Sequence, residues 1–306
     1  MMRVVLAIGG NALLQSGDDG TVESQSARAL ESLSHILPLL ISREKLLLTH
    51  GNGPQVGNAL LRAEAGIPQT PPRPLDYLVS DTQGGIGYLL ERTLRNLIRK
   101  NESEREVMTM LAQVKVESDD PSFDNPSKPV GPWFSLDEKQ ELEDKGWILT
   151  QTEKGVRRLV PSPKPTEVIE LETIRSLFEN RMLCVTAGGG GTPVIQNSEG
   201  WQGVEGVIDK DLVSGILANK LNATHLVIAT DVENVWVGPE RKPLGHIDTT
   251  TLRQYHDNGE FPSGSMGPKV SAALGFVRSE NQTAIITSLS KVMEALEGNA
   301  GTIVTY

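Results

Sequence analysis

The stretch Lys45-Leu46-Leu47-Leu48-Thr49-His50-Gly51-Asn52-Gly53-Pro54 decides the fold. Lys45 to Thr49 reads as a short strand, and the glycines at 51 and 53 permit a tight turn directly after it. Pro54 can occupy the first turn of a helix, whose apolar and small positions continue through Val56, Ala59, Leu60 and Ala63. Arg3 to Ile8 followed by Gly9-Gly10-Asn11 has the same form. The unit is strand, glycine turn, helix, used twice near the start of the chain.

Outward from these units, short β-branched or leucine-rich runs alternate with longer segments of helical period. That is the pattern of an α/β fold, a mainly parallel sheet covered by helices on both faces. A helix is expected from about Val22 to Ser42, kinked or shortened by Pro38. A longer one runs from about Leu75 to Arg99, and its Gly84, Gly85 and Gly87 weaken it unless something packs closely there. Glu106 to Val116 reads as one strand. From about 119 to 165, prolines and charges surround a short helix (Leu136 to Lys145) and a hairpin of Trp147 to Thr150 with Arg157 to Val160. This part reads as a small protruding insertion. The alternation resumes with a helix at Glu170 to Glu179, a strand at Met182 to Ala187, the run Gly188 to Gly191, and a helix opening near Lys210. Strands at Leu226 to Thr230, Ala284 to Thr287 and Thr302 to Thr305 follow, with a helix at Thr249 to Tyr255 and another opened by Lys269.

The 306 residues carry a formal net charge of -10, which excludes a general nucleic-acid binder, since such proteins neutralise many phosphates with a basic face. Any basic site must be local. No apolar run approaches the roughly 20 residues that cross a bilayer, so no membrane span is expected. The apolar start of the chain breaks into glycines too early for a signal peptide and reads as the first strand. Cys184 is the one cysteine and lies in the apolar run Met182-Leu183-Cys184-Val185, so it reads as a buried small hydrophobe; no intrachain disulfide can form, which suits the cytoplasm. The five histidines show no metal-ligand spacing.

Lys128 in Asn-Pro-Ser-Lys-Pro, Lys210 in Val-Ile-Asp-Lys-Asp and Lys269 in Gly-Ser-Met-Gly-Pro-Lys each sit in a distinctive short motif. With glycine turns at Gly9-Gly10-Asn11, Gly51-Asn52-Gly53 and Gly188 to Gly191, they point to a site that handles phosphate. Backbone N–H groups at such turns approach anions, and placed cations lower the energy of a phosphoryl group in flight. No P-loop, dinucleotide or protein-kinase signature is present. Asp209 and Asp211 flank Lys210 and would repel phosphate unless lysine or magnesium offset them; Asp211 reads as the residue that holds the lysines in place, with Asp209 second. An alcohol acceptor needs a base, and none is obvious here: His50 could serve or could brace its turn. An acceptor that is already an anion needs none.

These motifs identify the chain as resembling the carbamate kinases, of the amino-acid kinase fold, from end to end. Seven segments carry the likeness: Ala7 to Ala12, Thr49 to Gly57, Pro126 to Pro132, Arg157 to Pro165, Gly188 to Val194, Val207 to Asp211, and Gly264 to Val270. The resemblance implies a three-layer αβα sandwich with two lobes, 1–220 and 221–306, and the protruding subdomain at about 119–165. It implies reversible phosphoryl transfer between ATP and carbamate, with magnesium, in a homodimer. Lys128, Lys210 and Lys269 would surround the phosphoryl group, organised by Asp211. Gly9, Gly10, Asn11, Gly51, Asn52 and Gly53 would hold the carbamate side. Thr230, Asp231, Val232, Met266 and Lys269 would lie near the nucleotide. Two segments depart from the family pattern: Leu75 to Gly84 is less hydrophobic, and Trp236-Val237-Gly238 stands where a tyrosine-containing nucleotide loop is expected. The rival readings are a related kinase of another carboxylate or phosphate, and a ligand-binding regulator without catalysis.

Overall fold

Leu46, Leu47 and Leu48 are wholly buried, because the strand Lys45–His50 lies inside a sheet with apolar layers on both faces. Alternate residues go to opposite layers: Leu47 joins Val5, Ala7 and Cys184 on one face, while Leu46 and Leu48 join Val4, Leu6 and Ile8 on the other. Burial on both faces explains why these strands are continuous apolar runs. Fully burying each leucine contributes about 2 kcal/mol, enough for three in succession to fix the strand.

The computed structural model describes residues 1–10, 13, 20–262 and 264–306. Among them the principal sheet has eight strands, in the spatial order His246–Asp248, Thr302–Thr305, Thr283–Ser288, His225–Thr230, Arg3–Ile8, Lys45–His50, Leu183–Thr186 and Val107–Met110. Every neighbouring pair is parallel except Thr283–Ser288 with Thr302–Thr305. Helices cover both faces, so the fold is the expected α/β sandwich. The strands Arg3–Ile8 and His225–Thr230 adjoin directly, with Val4 to Ala7 in register with His225 to Ile228.

Lys128–Phe134, Gly155–Val160 and Ile148–Thr152 form a separate three-stranded antiparallel sheet, closed by Leu142, Trp147 and Val156. A third sheet joins Gly200–Gly203, Thr192–Asn197, Gln113–Lys115 and Glu167–Val168.

Three expectations are corrected. The helix expected from 22 to 42 is two, Val22–Ser34 and Leu37–Ile41, because Pro38 cannot donate within a continuous helix and instead occupies the first turn of the second. The strand expected at 106 to 116 is also two: Val107–Met110 belongs to the principal sheet and Gln113–Lys115 to the third. Finally, the helix expected to open at Lys269 opens at Met266, which places Lys269 one turn inside it. Of the glycines in the long helix Leu75–Lys100, only Gly87 meets close packing. A methyl there would lie 2.2 Å from Thr109 Cγ2, whereas at Gly84 and Gly85 it would meet nothing within 4 Å.

Candidate active site

The helix Lys210–Lys220 begins where it does because Asp209 caps it, accepting from the Asp211 N–H at 2.9 Å. Its neighbour, Met266–Phe276, packs against it with Gly215 facing Ala272, so the N-terminal ends of both helices come together. Lys210 and Lys269 thereby meet at one carboxylate. Lys210 Nζ donates to Asp211 Oδ1 at 2.5 Å and Lys269 Nζ to Asp211 Oδ2 at 2.8 Å. Lys128 reaches in from the small three-stranded sheet, donating to Asp209 Oδ2 at 3.1 Å and to the Ile208 carbonyl at 3.2 Å. Residues separated by more than a hundred positions thus form one network of three cations and two anions.

Burial shapes the charges of this network. The Asp211 side chain is 3% exposed, which alone would raise its pKa, but Lys210 and Lys269 hold it well below the usual carboxylate range. Burial lowers the pKa of Lys210, opposed by the attraction of Asp211, and Lys269 beside it lowers it further. Burial acts to lower Lys269 too, but Asp211 outweighs it and the pKa stands above its ordinary value; the charges of Asp209 and Asp231 act in the same direction.

A second layer fixes the first. Ser214 Oγ donates to the Lys210 carbonyl at 2.6 Å and shares a 2.7 Å hydrogen bond with Thr49 Oγ1, tying the helix to the strand before the Gly51 turn. Sequence reading missed Thr49 and Ser214; the one local signal was a hydroxyl four positions after Lys210, on the same helix face.

The glycine turns divide into two kinds. Gly9 and Gly10 end the strand Arg3–Ile8, and Gly51 approaches them so closely that a methyl on it would lie 2.8 Å from the Gly10 nitrogen. The Gly51 N–H donates to the Ile8 carbonyl at 3.0 Å, so this residue provides close approach rather than a donor for an anion. Asn52 turns its side chain inward to donate to Thr82 Oγ1 at 2.9 Å, and Gly53 opens the helix Gly53–Ala65. Asn11 lies outside the described residues.

The run Gly188 to Gly191 is of the other kind. It is buried, and methyls at 188, 189 and 190 would lie 2.3 Å from the His50 ring, 2.1 Å from Asn52 Nδ2 and 2.6 Å from the Ile208 carbonyl. The Gly190 and Gly191 N–H groups donate to Ala187 and Gly188. The close packing at 188, 189 and 190 accounts for glycine at these positions on steric grounds. His50 braces its own turn: Nδ1 lies 3.0 Å from the Gly51 carbonyl, and burial pushes its pKa down to about 4.

Gly9, Thr230 and Asp231 line a cavity of about 420 Å³ at the C-terminal ends of three adjacent strands, walled by Ser288 and His35. Ligands in open α/β sheets gather at that edge. Val232 follows in the same bend, and Met266 starts the helix that carries Lys269. A larger cavity, about 930 Å³, lies between the helices Gly53–Ala65 and Leu75–Lys100 and contains none of the three lysines. The three lysines do not line the smaller cavity either; it is related to their cluster by Asp231, whose charge bears on Lys269.

A cluster of ammonium groups where the N-terminal ends of two helices meet, beside parallel strands and without a P-loop, is the arrangement of a phosphotransferase of one particular lineage. Residues 2–288 match the amino acid kinase family, and the chain belongs to that family. Its relatives there include carbamate kinases. The carbamate kinase of Pyrococcus horikoshii is 42% identical over 310 residues, 99% of each chain, and carbamate kinase 2 of a Staphylococcus aureus strain is 40% identical over 308, 98% of each. The solved carbamate kinase from Giardia lamblia bound to citric acid superposes with a TM-score of 0.95 at 36% identity, covering 99% of this chain and 98% of that one; the same enzyme bound to AMP-PNP gives 0.90.

Proposed function

We propose that this protein is a carbamate kinase, moving a phosphoryl group reversibly between ATP and carbamate. The observation that carries the reading is Asp211 with a lysine on each oxygen, and Lys128 on Asp209 two residues away. The two aspartates hold three buried or half-buried lysines toward one another. A phosphoryl group entering between them meets donors already in place, so little reorganisation is needed as charge spreads over its oxygens.

In the ATP-forming direction an oxygen of the ADP β-phosphate attacks phosphorus while the bond to the carbamate oxygen breaks, in line. Carbamate leaves as an anion and then, taking up a proton from solvent, breaks down to ammonia and carbon dioxide. No proton changes hands in the transfer, so no base is needed; His50, neutral and turned to its own backbone, fits that chemistry. Gly9, Gly10, Asn52 and Gly53 would hold the carbamate side in the lobe 1–220, with Gly51 bringing the two turns together, and Thr230, Asp231, Val232, Met266 and Lys269 the nucleotide in the lobe 221–306. Asp209 and Asp211 are engaged by lysines, and among the described residues no group of three His, Cys, Asp or Glu side chains could cage a metal. That arrangement fits magnesium carried in by nucleotide phosphates and water, as this ion prefers. Bound there, it would neutralise phosphate charge.

No helix among the described residues is long and apolar enough to cross a membrane; with Cys184 its single cysteine, and buried, the chain suits the cytoplasm. For the homodimer that the resemblance implies, the helix Leu75–Lys100 offers a face with exposed Tyr77 and Tyr88 beside bare Gly84 and Gly85, and light scattering of the pure protein reads its mass. The test of function is ATP formation from carbamoyl phosphate, ADP and magnesium. ATP production supports the reading. A folded protein that makes none, or prefers another acyl phosphate, overturns it.

A further inference from the structure

The helix Gly53–Ala65 starts in the acceptor-side glycine turn, and one turn later it meets the subdomain that bears Lys128. The meeting is backbone against backbone. A methyl on Gly57 would lie 1.9 Å from Gly131 Cα and 2.1 Å from its nitrogen. Gly131 stands three residues after Lys128, with φ +76°, where the pairing of Lys128–Phe134 with Gly155–Val160 shifts register. That left-handed bulge turns bare backbone toward the helix, and Arg157 Nε donates to its carbonyl at 2.8 Å. Two turns further along, Glu64 pairs with Arg158 at 2.7 Å, and Val130 packs with Val56 and Leu60.

We propose that the Gly57–Gly131 contact positions Lys128, the single helix acting as a ruler between the acceptor turn and the lysine on the subdomain. The inference rests on the reading of Lys128 as a group that faces the transferred phosphoryl. With Gly57 replaced by alanine, the strand must retreat by about 1.5 Å, from 1.9 Å to the 3.4 Å at which ordinary contact begins. A misplacement of that size at a reacting centre costs about a hundredfold in rate.

The test is a double-mutant cycle in the ATP-forming assay with Gly57→Ala, Lys128→Ala and the pair. Gly57→Ala is expected to lower kcat about a hundredfold with KM for ADP within about twofold, and to do nothing further in the Lys128→Ala background. Losses that multiply in the pair, or a Gly57→Ala enzyme at wild-type kcat, overturn the inference while leaving Lys128 in its role. A Lys128→Ala enzyme at wild-type rate removes that role and the inference with it. If circular dichroism shows that Gly57→Ala does not fold, Glu64→Ala takes its place. Releasing Arg158 should then lower kcat about tenfold, again only when Lys128 is present, and an equal loss in both backgrounds overturns the inference.

Discussion

Lys269 places its Nζ 2.8 Å from Asp211 Oδ2, the oxygen that Lys210 leaves open, across 58 residues of chain. Asp211 is therefore shared, and removing its charge strands two buried cations at once. Asp211→Asn is expected to cost about 3 to 5 kcal/mol in urea unfolding, the range for breaking a buried ion pair from one side. It should also cut ATP formation by at least about a hundredfold, because the lysines lose their aim. A variant with wild-type stability and rate contradicts the shared arrangement.

His50 gives a pH prediction whose sign follows from its burial. Its folded pKa is about 4 against an ordinary 6.5, so below pH 6.5 the unfolded chain binds a proton that the folded chain refuses. Stability is fully present above pH 6.5 and is lost as pH falls toward 4, by about 3 kcal/mol for a shift of this size. Denaturation of wild type and His50→Gln across pH 4 to 7 should show a shallower slope for the variant. Equal slopes contradict a buried neutral imidazole.

Arg105 supplies a control away from the site. Its Nη1 donates to the carbonyls of Leu39 and Leu40 at 3.2 and 3.1 Å and its Nη2 to that of Glu44 at 2.8 Å, closing the end of the helix Leu37–Ile41. Arg105→Ala should lower stability by about 2 kcal/mol, as expected for losing charge-assisted bonds to carbonyls, with kcat unchanged. Arg105→Lys should recover little, since one ammonium cannot span the same fork. Loss of kcat in a folded Arg105→Ala enzyme contradicts this structural role.

Much of this fold was legible because its principal strands are buried on both faces and so announce themselves as apolar runs beside glycine. What escaped depended on partners far away in sequence. Nothing local in Met110-Leu111-Ala112 marks the change of sheet, since neither glycine nor proline punctuates it. Asp209 was legible as the second candidate for holding the lysines, but not which lysine it holds; its second oxygen receives Lys128 from 81 residues away. The lysines themselves were found through their motifs. The glycine run at 188 to 191 could not be resolved from sequence, because glycine needed for close packing and glycine needed for anion contact look alike there. The His50 ring and the Asn52 side chain against it show the packing need.

The central claim is that Lys210 and Lys269 face the same migrating phosphoryl group, and turnover of Lys210→Ala and Lys269→Ala in the ATP-forming assay tests it most directly. Each is expected to lose about a hundredfold or more in kcat, comparable to losing a donor that stabilises transition-state charge. Near-normal turnover in both folded variants would contradict the account.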